Sequence, residues 1–121
     1  MACRPRTNVA AMKVIEDAGR FQPPTTAERP NHWVEHLSVP DLSVGTYSIP
    51  AGGSDTQTPH TEDEIYVVTT GRATIEADGG SAEVGPGAVV YVPAGEEHRF
   101  VDVTDDFAVV VIFAPAEYSR Q

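Results

Sequence analysis

The sequence predicts an all-β protein, a sandwich or barrel of roughly eight short strands. Short segments rich in valine, isoleucine, threonine and aromatic residues recur from residue 32 onward, and stretches that contain glycine, proline and aspartate separate them. Apolar residues follow a helical period nowhere beyond about two turns. At 121 residues with 40% hydrophobic content, the chain has the size and core-forming residues of one domain.

The N-terminal part carries no strand pattern. Residues 1–11 are polar and aperiodic, and we expect them to form a flexible tail that precedes a single domain at residues 12–121. Residues 22–30, QPPTTAERP, hold three of the ten prolines. Because proline cannot donate a hydrogen bond to a β-ladder, this segment is expected to be an extended loop or an edge segment.

The strands follow in order, each bounded by turn residues. Asp78-Gly79-Gly80 has the composition of a hairpin turn, and Gly85-Pro86-Gly87 and Pro93-Ala94-Gly95 predict further tight turns. The predicted strands cover residues 32–39, 42–49, 64–70, 72–77, 88–93, 98–103 and 107–113.

Charge and composition exclude several classes of partner. The chain has 18 acidic and 8 basic side chains and a net charge of −10, so its field repels nucleic acid and anionic lipid. The longest apolar run, Phe107–Ala116, is too short to cross a membrane, and no signal-peptide pattern is present. A single cysteine excludes an intramolecular disulfide. We therefore expect a cytoplasmic protein that binds neither nucleic acid nor membrane.

The segment PHTEDEIYVVTTG, residues 59–71, places chemically capable residues at the start of a strand. If Glu64 opens that strand, Tyr66 shares its face, and a carboxylate beside apolar residues must be paired, protonated or bound to a cation. His98 occupies a similar position after the turn at residues 93–95. Two imidazoles and a carboxylate, here His60, His98 and Glu64, suit a divalent transition metal. Glu62 and Asp63 are expected to face water.

These positions resemble the two motifs of the cupins. The first motif is similar to the spacing of Gly52, Thr58, His60, Glu64 and Gly71. The second motif resembles the spacing of Gly87, Pro93, Gly95 and His98, with Asp102 where asparagine is usual. The fifteen residues 72–86 between the motifs look like the short spacing of small bacterial cupins.

The resemblance implies a cupin β-barrel, or jelly roll, that forms a homodimer and holds a metal ion through His60, Glu64 and His98. Thr58 departs from the family pattern, because a histidine is expected there. Water could complete the site, Gln57 or Asp55 could supply an oxygen, or the metal could be weakly bound or absent. If residues 58 and 60 belonged to a strand, alternation would aim Thr58 and His60 at the same space.

The leading hypothesis is a metal-dependent oxygenase or isomerase that acts on a small organic substrate inside the barrel. The ion would be Fe, Mn, Ni or Zn, with His60, Glu64, His98 and Gln57 as candidate ligands. Glu64 would serve as ligand or general base, and Tyr66 would line the pocket as the second candidate catalytic residue. The alternatives are a non-catalytic cupin that binds or senses a small ligand, and a metal-free epimerase or cyclase that uses the pocket histidines.

Overall fold

The computed structural model describes residues 12–120, so the predicted tail at residues 1–11 lies outside the described part. Within that part the chain forms strands and no helix, and hence nothing helical that could span a bilayer. The predicted all-β class is confirmed. The strands are β1 (His32–Val39), β2 (Leu42–Ile49), β3 (Asp63–Thr70), β4 (Ala73–Ala77), β5 (Gly80–Val84), β6 (Val89–Val92), β7 (His98–Val101) and β8 (Phe107–Ala114).

Two antiparallel sheets form the barrel. The larger sheet has the order β1-β2-β8-β3-β6, and the smaller has the order β5-β4-β7. Strands distant in the chain are neighbours: β3 pairs with β8, and Glu64 lies opposite Phe113. This double-sheet arrangement confirms the predicted jelly roll.

The core lies between the two sheets and is rich in aromatic residues. Tyr66 of β3 packs against Phe100 of β7 with ring centroids 4.8 Å apart, and Phe100 packs against Phe107 of β8 at 4.9 Å. All three side chains are buried. Edge-to-face and tilted aromatic contacts of this kind fix the distance between the sheets. The chemically capable residues of β3 and β7 therefore face each other across a dry interior.

Strand β5 is the element that the sequence pattern did not single out. Its residues, GSAEV, are exposed except for Val84, and the strand lies at the edge of the smaller sheet. An edge strand of small and charged residues lacks the apolar alternation on which strand prediction depends. The predicted turn before it is confirmed, since Ala77 pairs with Gly80 across a β4–β5 hairpin.

The start of β3 corrects two expectations. Alternation is confirmed within β3, where Glu64 and Tyr66 point inward and Ile65 points outward. However, β3 begins at Asp63, and Thr58 and His60 lie in irregular chain before it, so alternation does not aim them at one space. The expectation that Glu62 faces water is also wrong, because it is only 1% exposed.

Candidate functional site

The two motif regions are joined by hydrogen bonds from the turn that precedes β7. The Gly95 N–H donates to the carbonyl of His60 at 2.8 Å, and the Ala94 N–H donates to Asp63 Oδ1 at 2.9 Å. Gly95 has a φ of 79°, in the left-handed region that favours glycine. The turn therefore fixes the backbone before β3 and places His98 close to Glu64.

A buried polar cluster lies between β3 and β7. His98 Nε2 is 2.8 Å from the Tyr66 hydroxyl and 3.1 Å from Glu64 Oε1. The side chains of His98 and Glu64 are each only 1% exposed. Gln57 Nε2 donates to the Tyr66 hydroxyl at 2.7 Å, and His98 Nδ1 contacts the Glu96 carbonyl at 2.9 Å. Three of the predicted site residues, Gln57, Tyr66 and His98, thus belong to one hydrogen-bonded chain, and Glu64 lies in ion-pair contact with its His98 end.

Opposing effects set the protonation of this buried cluster. Burial alone would lower the pKa of His98, but its contacts with Glu64 and the Glu96 carbonyl, and the charges of Glu64 and Asp55, outweigh burial and raise that pKa. Burial, together with the charges of Glu64 and Asp55, raises the pKa of Tyr66 well above its usual value. Tyr66 therefore stays a phenol, and His98 has a greater tendency to carry a proton beside the carboxylate.

His60 lies outside this buried cluster and contacts Glu117 instead. Its Nε2 lies 2.8 Å from Glu117 Oε2, and the two side chains are 7% and 9% exposed. The imidazole lies between two aromatic rings, with centroid distances of 4.4 Å to Phe113 and 5.7 Å to Tyr118. The structure therefore pairs the first-motif histidine with a carboxylate from beyond β8, and not with Glu64.

The donor atoms do not form the predicted metal centre as they lie. Within residues 12–120, no group of three or more His, Cys, Asp or Glu side chains is arranged to hold a metal ion. His60 Nδ1 and both Glu64 oxygens are buried without a well-aligned hydrogen bond, although Glu64 Oε1 is close to His98. His60 instead contacts Glu117 through Nε2, and Gln57 donates to Tyr66 through Nε2.

Two pockets lie on either side of residues 57–58. The front pocket has a volume of about 310 Å³, and the rear pocket has a volume of about 380 Å³. Gln57 and Thr58 line both pockets, whereas His60 lines only the front pocket and His98 only the rear pocket. Tyr66, the residue expected to line the pocket, is fully buried and lines neither of these two pockets. The front pocket is walled by four aromatic side chains, Trp33, Tyr47, Phe113 and Tyr118.

Asp55 holds the front pocket's polar wall in place. It accepts hydrogen bonds from the Tyr47 hydroxyl at 2.8 Å, the Phe100 N–H at 2.9 Å and Gln57 Nε2 at 3.2 Å. Burial and the neighbouring Asp55 charge raise the pKa of Tyr47. The Asp55 carboxylate is therefore engaged by protein donors, and it positions two pocket side chains, Tyr47 and Gln57.

Glu62 anchors the C-terminal segment, residues 115–120, over the pocket. Its carboxylate accepts the Tyr118 N–H and the Arg120 N–H at 3.0 Å each, and the Thr61 hydroxyl at 2.6 Å. Burial would raise the pKa of Glu62, but these hydrogen bonds and the nearby His60 lower it overall. Because residue 117 directly precedes the anchored Tyr118 amide, Glu62 also helps to position Glu117 against His60.

Several pocket residues were missed by sequence reasoning. Glu117, Trp33 and Tyr47 belong to no motif, and each reaches the pocket from a separate part of the fold. Glu117 lies in a short polar stretch after the last apolar run, where an acidic residue is ordinarily solvent-exposed. No local pattern indicates that this stretch folds back onto the start of β3.

Comparison with known proteins agrees with this architecture. The family model described as a cupin domain matches residues 45–115. The uncharacterized protein SCO3923 from Streptomyces coelicolor is 42% identical to this chain over 85 residues, which cover 70% of this chain and 81% of that protein.

Two solved structures show the same fold at low sequence identity. The DMSP lyase DddQ from Ruegeria pomeroyi superimposes with a TM-score of 0.67 at 19% identity, over 84% of this chain and 54% of the lyase. Salicylate 1,2-dioxygenase from Pseudoaminobacter salicylatoxidans gives a TM-score of 0.67 at 14% identity, over 75% of this chain and 27% of the dioxygenase. Fold and sequence agree, and since the cupin model matches more than half of its residues, the chain belongs to the cupin family.

Proposed function

We propose that this cupin is a small-molecule enzyme that binds its substrate in the front pocket and uses His60 and Glu117 as an acid–base pair. The observation that carries the proposal is the 2.8 Å contact between His60 Nε2 and Glu117 Oε2 in the wall of that pocket. The similar lyase and dioxygenase structures support the view that this barrel can carry enzymes. Since fold alone does not determine function, the proposal depends on the pocket.

The pair has the arrangement of a carboxylate-oriented general base. When Glu117 accepts the Nε2 proton, His60 Nδ1 holds the free lone pair, and this nitrogen makes no hydrogen bond within the described structure. A proton taken up at Nδ1 creates an imidazolium that the Glu117 carboxylate stabilises. The pair is therefore suited to proton transfer, and we propose isomerisation, epimerisation or elimination as the reaction class.

Access to Nδ1 requires a small movement of the C-terminal segment. In the free protein Nδ1 is buried, and Tyr118 covers one side of the imidazole. The segment that carries Tyr118 is irregular chain that is held by hydrogen bonds to Glu62, Ser43 and His60. Closure of this segment over a bound substrate would exclude water from the proton transfer.

A second candidate is the metal-dependent enzyme that the cupin motifs imply. The observation in its favour is the set of buried donor atoms without partners on His60 and Glu64. Such a site needs the side chains of His60 and Glu64 to move closer to a common point, since they are not grouped there as they lie. Fe, Mn, Ni and Zn all remain open as the ion for this candidate.

Deuterium exchange tests the acid–base proposal directly. The protein is incubated in D₂O with a panel of small ketones, amino ketones and amino acid amides, and loss of the carbon-bound proton signal is followed by ¹H NMR. We expect exchange or turnover of at least one compound, reduced about 100-fold or more in His60→Gln and in Glu117→Gln. His32→Gln is the matched control, because His32 lines neither pocket.

Elemental analysis of the same samples separates the two candidates. Protein purified without chelator or nickel resin should contain less than about a tenth of an equivalent of transition metal and should remain active after chelation. About one equivalent, with activity lost on chelation, would favour the metal-dependent candidate instead. Ligand binding in the pocket without exchange or turnover would indicate a binding or sensing cupin and would contradict both.

A further inference from the structure

The amide nitrogens of the two amide side chains in the front pocket, Asn31 and Gln57, already donate hydrogen bonds to other groups of the protein. Asn31 Nδ2 donates to the Ser54 carbonyl at 2.9 Å and to Thr56 Oγ1 at 3.0 Å. Gln57 Nε2 donates to the Tyr66 hydroxyl and to Asp55 Oδ2. Because a carbonyl and a carboxylate can only accept, these partners fix which amide atom is the nitrogen. Each amide therefore keeps its oxygen for a ligand.

Tyr47 and Glu117 also present acceptors to the pocket. The Tyr47 hydroxyl gives its proton to Asp55 Oδ1, so only its oxygen lone pairs remain for a ligand. Glu117 adds a carboxylate to the wall. Tyr47 and Glu117 therefore present acceptors beside the two amide oxygens, and an occupant that carries N–H groups would satisfy them. The Thr58 and Tyr118 hydroxyls of the lining can either donate or accept.

The charge of the pocket is also one-sided. The residues that line it include no lysine or arginine, and His60 and Glu117 are its oppositely charged pair when the imidazole is protonated. With the imidazole neutral the pair carries one negative charge, so in neither state is it positive. Within residues 12–120, the buried carboxylates Glu64 and Glu117 form ion pairs only with histidines. Glu64 pairs with His98, and Glu117 pairs with His60. The chain's net charge of −10 further attracts cations to the surface.

The apolar walls complete a site suited to a cation. Trp33 and Tyr47 pack edge to face with centroids 6.5 Å apart, and Phe113 packs against Trp33 at 6.3 Å. Aromatic faces attract ammonium groups, and they cover the hydrocarbon part of such a ligand. A volume of about 310 Å³ accommodates about ten non-hydrogen atoms at the volume of roughly 30 Å³ that one water molecule takes in the liquid.

We propose that the front pocket recognises a small organic ammonium ion, a primary or secondary amine of about ten non-hydrogen atoms. The N–H groups bind the oxygens of Asn31, Gln57 and Glu117, and the hydrocarbon part packs against Trp33 and Tyr47. This inference deepens the proposed function, on whose pocket it rests. It does not require that the bound amine be turned over.

Tryptophan fluorescence provides the test, because Trp33 is the chain's single tryptophan and lines this pocket. Three probes of nearly equal shape are titrated at low salt and neutral pH: benzylammonium, benzyl alcohol and benzoate. We expect benzylammonium to bind about tenfold or more tighter than benzyl alcohol, and benzoate to bind more weakly than both. In Glu117→Gln the preference for the cation should fall to about threefold or less, whereas Glu83→Gln, an exposed change on β5, should keep it.

The outcomes separate this inference from the proposed function. Benzyl alcohol or benzoate binding as tightly as benzylammonium would overturn the inference while leaving the pocket and its acid–base pair in place. Cation selectivity without deuterium exchange would support the inference and contradict the enzyme. Because the comparison of probes is made first in the unmodified protein, it stands even if Glu117→Gln fails to fold.

Discussion

Replacing Glu62 by glutamine should loosen the C-terminal segment by an amount that the structure allows us to work out. Glu62 Oε1 accepts the Tyr118 N–H, and Oε2 accepts the Arg120 N–H and the Thr61 hydroxyl. In Glu62→Gln the amide oxygen can replace Oε2 as a neutral acceptor. The amide nitrogen then faces the Tyr118 N–H, so one charge-assisted hydrogen bond is lost and the others weaken.

The expected cost is about 2 kcal/mol. Hydrogen bonds to a charged group each contribute about 1.5–3 kcal/mol, and the freed Tyr118 amide recovers part of this by bonding water, because the segment lies at the surface. In urea this corresponds to a lowering of the unfolding midpoint by about 1 M at a slope of about 2 kcal/mol/M. Glu83→Gln, exposed on β5, should stay within about 0.5 kcal/mol of the unmodified protein.

Amide hydrogen exchange localises the effect. If Glu62 holds the segment, the Tyr118 and Arg120 amides should exchange about tenfold or more faster in Glu62→Gln, while amides in the centre of β8 should follow global unfolding only. Unchanged exchange at both amides, with an unchanged urea midpoint, would refute the role of Glu62 as the anchor. A lower midpoint without faster exchange at residues 118 and 120 would also refute it.

The stability that Glu62→Gln loses should depend on pH, and the direction follows from the lowered pKa of Glu62. A carboxyl whose pKa is lower in the folded than in the unfolded protein stabilises the fold above the unfolded value, near 4.5. That contribution is lost as the pH falls through the lower, folded-state pKa. The stability difference between the unmodified protein and Glu62→Gln should thus be complete at pH 6 and shrink below about pH 4.5. A difference that grows on acidification would contradict the assignment.

The remaining predictions concern the pocket wall, the buried cluster and the assembly. Gly45→Ala should cost about 1–3 kcal/mol in urea unfolding and weaken benzylammonium binding, because the new Cβ would overlap the Trp33 ring; Gly79→Ala, which meets open space, is the control. Tyr66→Phe should cost about 1–3 kcal/mol in the same assay, because it removes a buried hydroxyl bonded to both Gln57 and His98; retained stability would show that the cluster relaxes. Sedimentation at micromolar concentration should give the homodimer expected from the cupin resemblance, and a monomer would exclude it.

The sequence predicted the fold better than it predicted the site. Strand residues carry their own signal, because alternation and β-branched side chains are local, and β3 shows the predicted inward face from Glu64 to Val68. The approach of Glu64 to His98 was also predictable, since both belong to recognisable motifs. The partner of His60 was not predictable, because Glu117 is distant in sequence and meets His60 only when the chain after β8 folds back. Glu62 was misjudged for the same reason, since its partners lie at residues 118 and 120.

The departure at Thr58 has consequences for the charge balance of the barrel interior. In the cupin pattern a metal cation would offset the carboxylate of the first motif. Here Thr58 offers no imidazole, His60 bonds Glu117, and the two Glu64 oxygens lack well-aligned donors. The described interior therefore holds carboxylates whose charge is offset only by two histidines and by hydrogen bonds. A cationic ligand in the front pocket would add a positive charge beside Glu117, and the benzylammonium titration measures this preference directly.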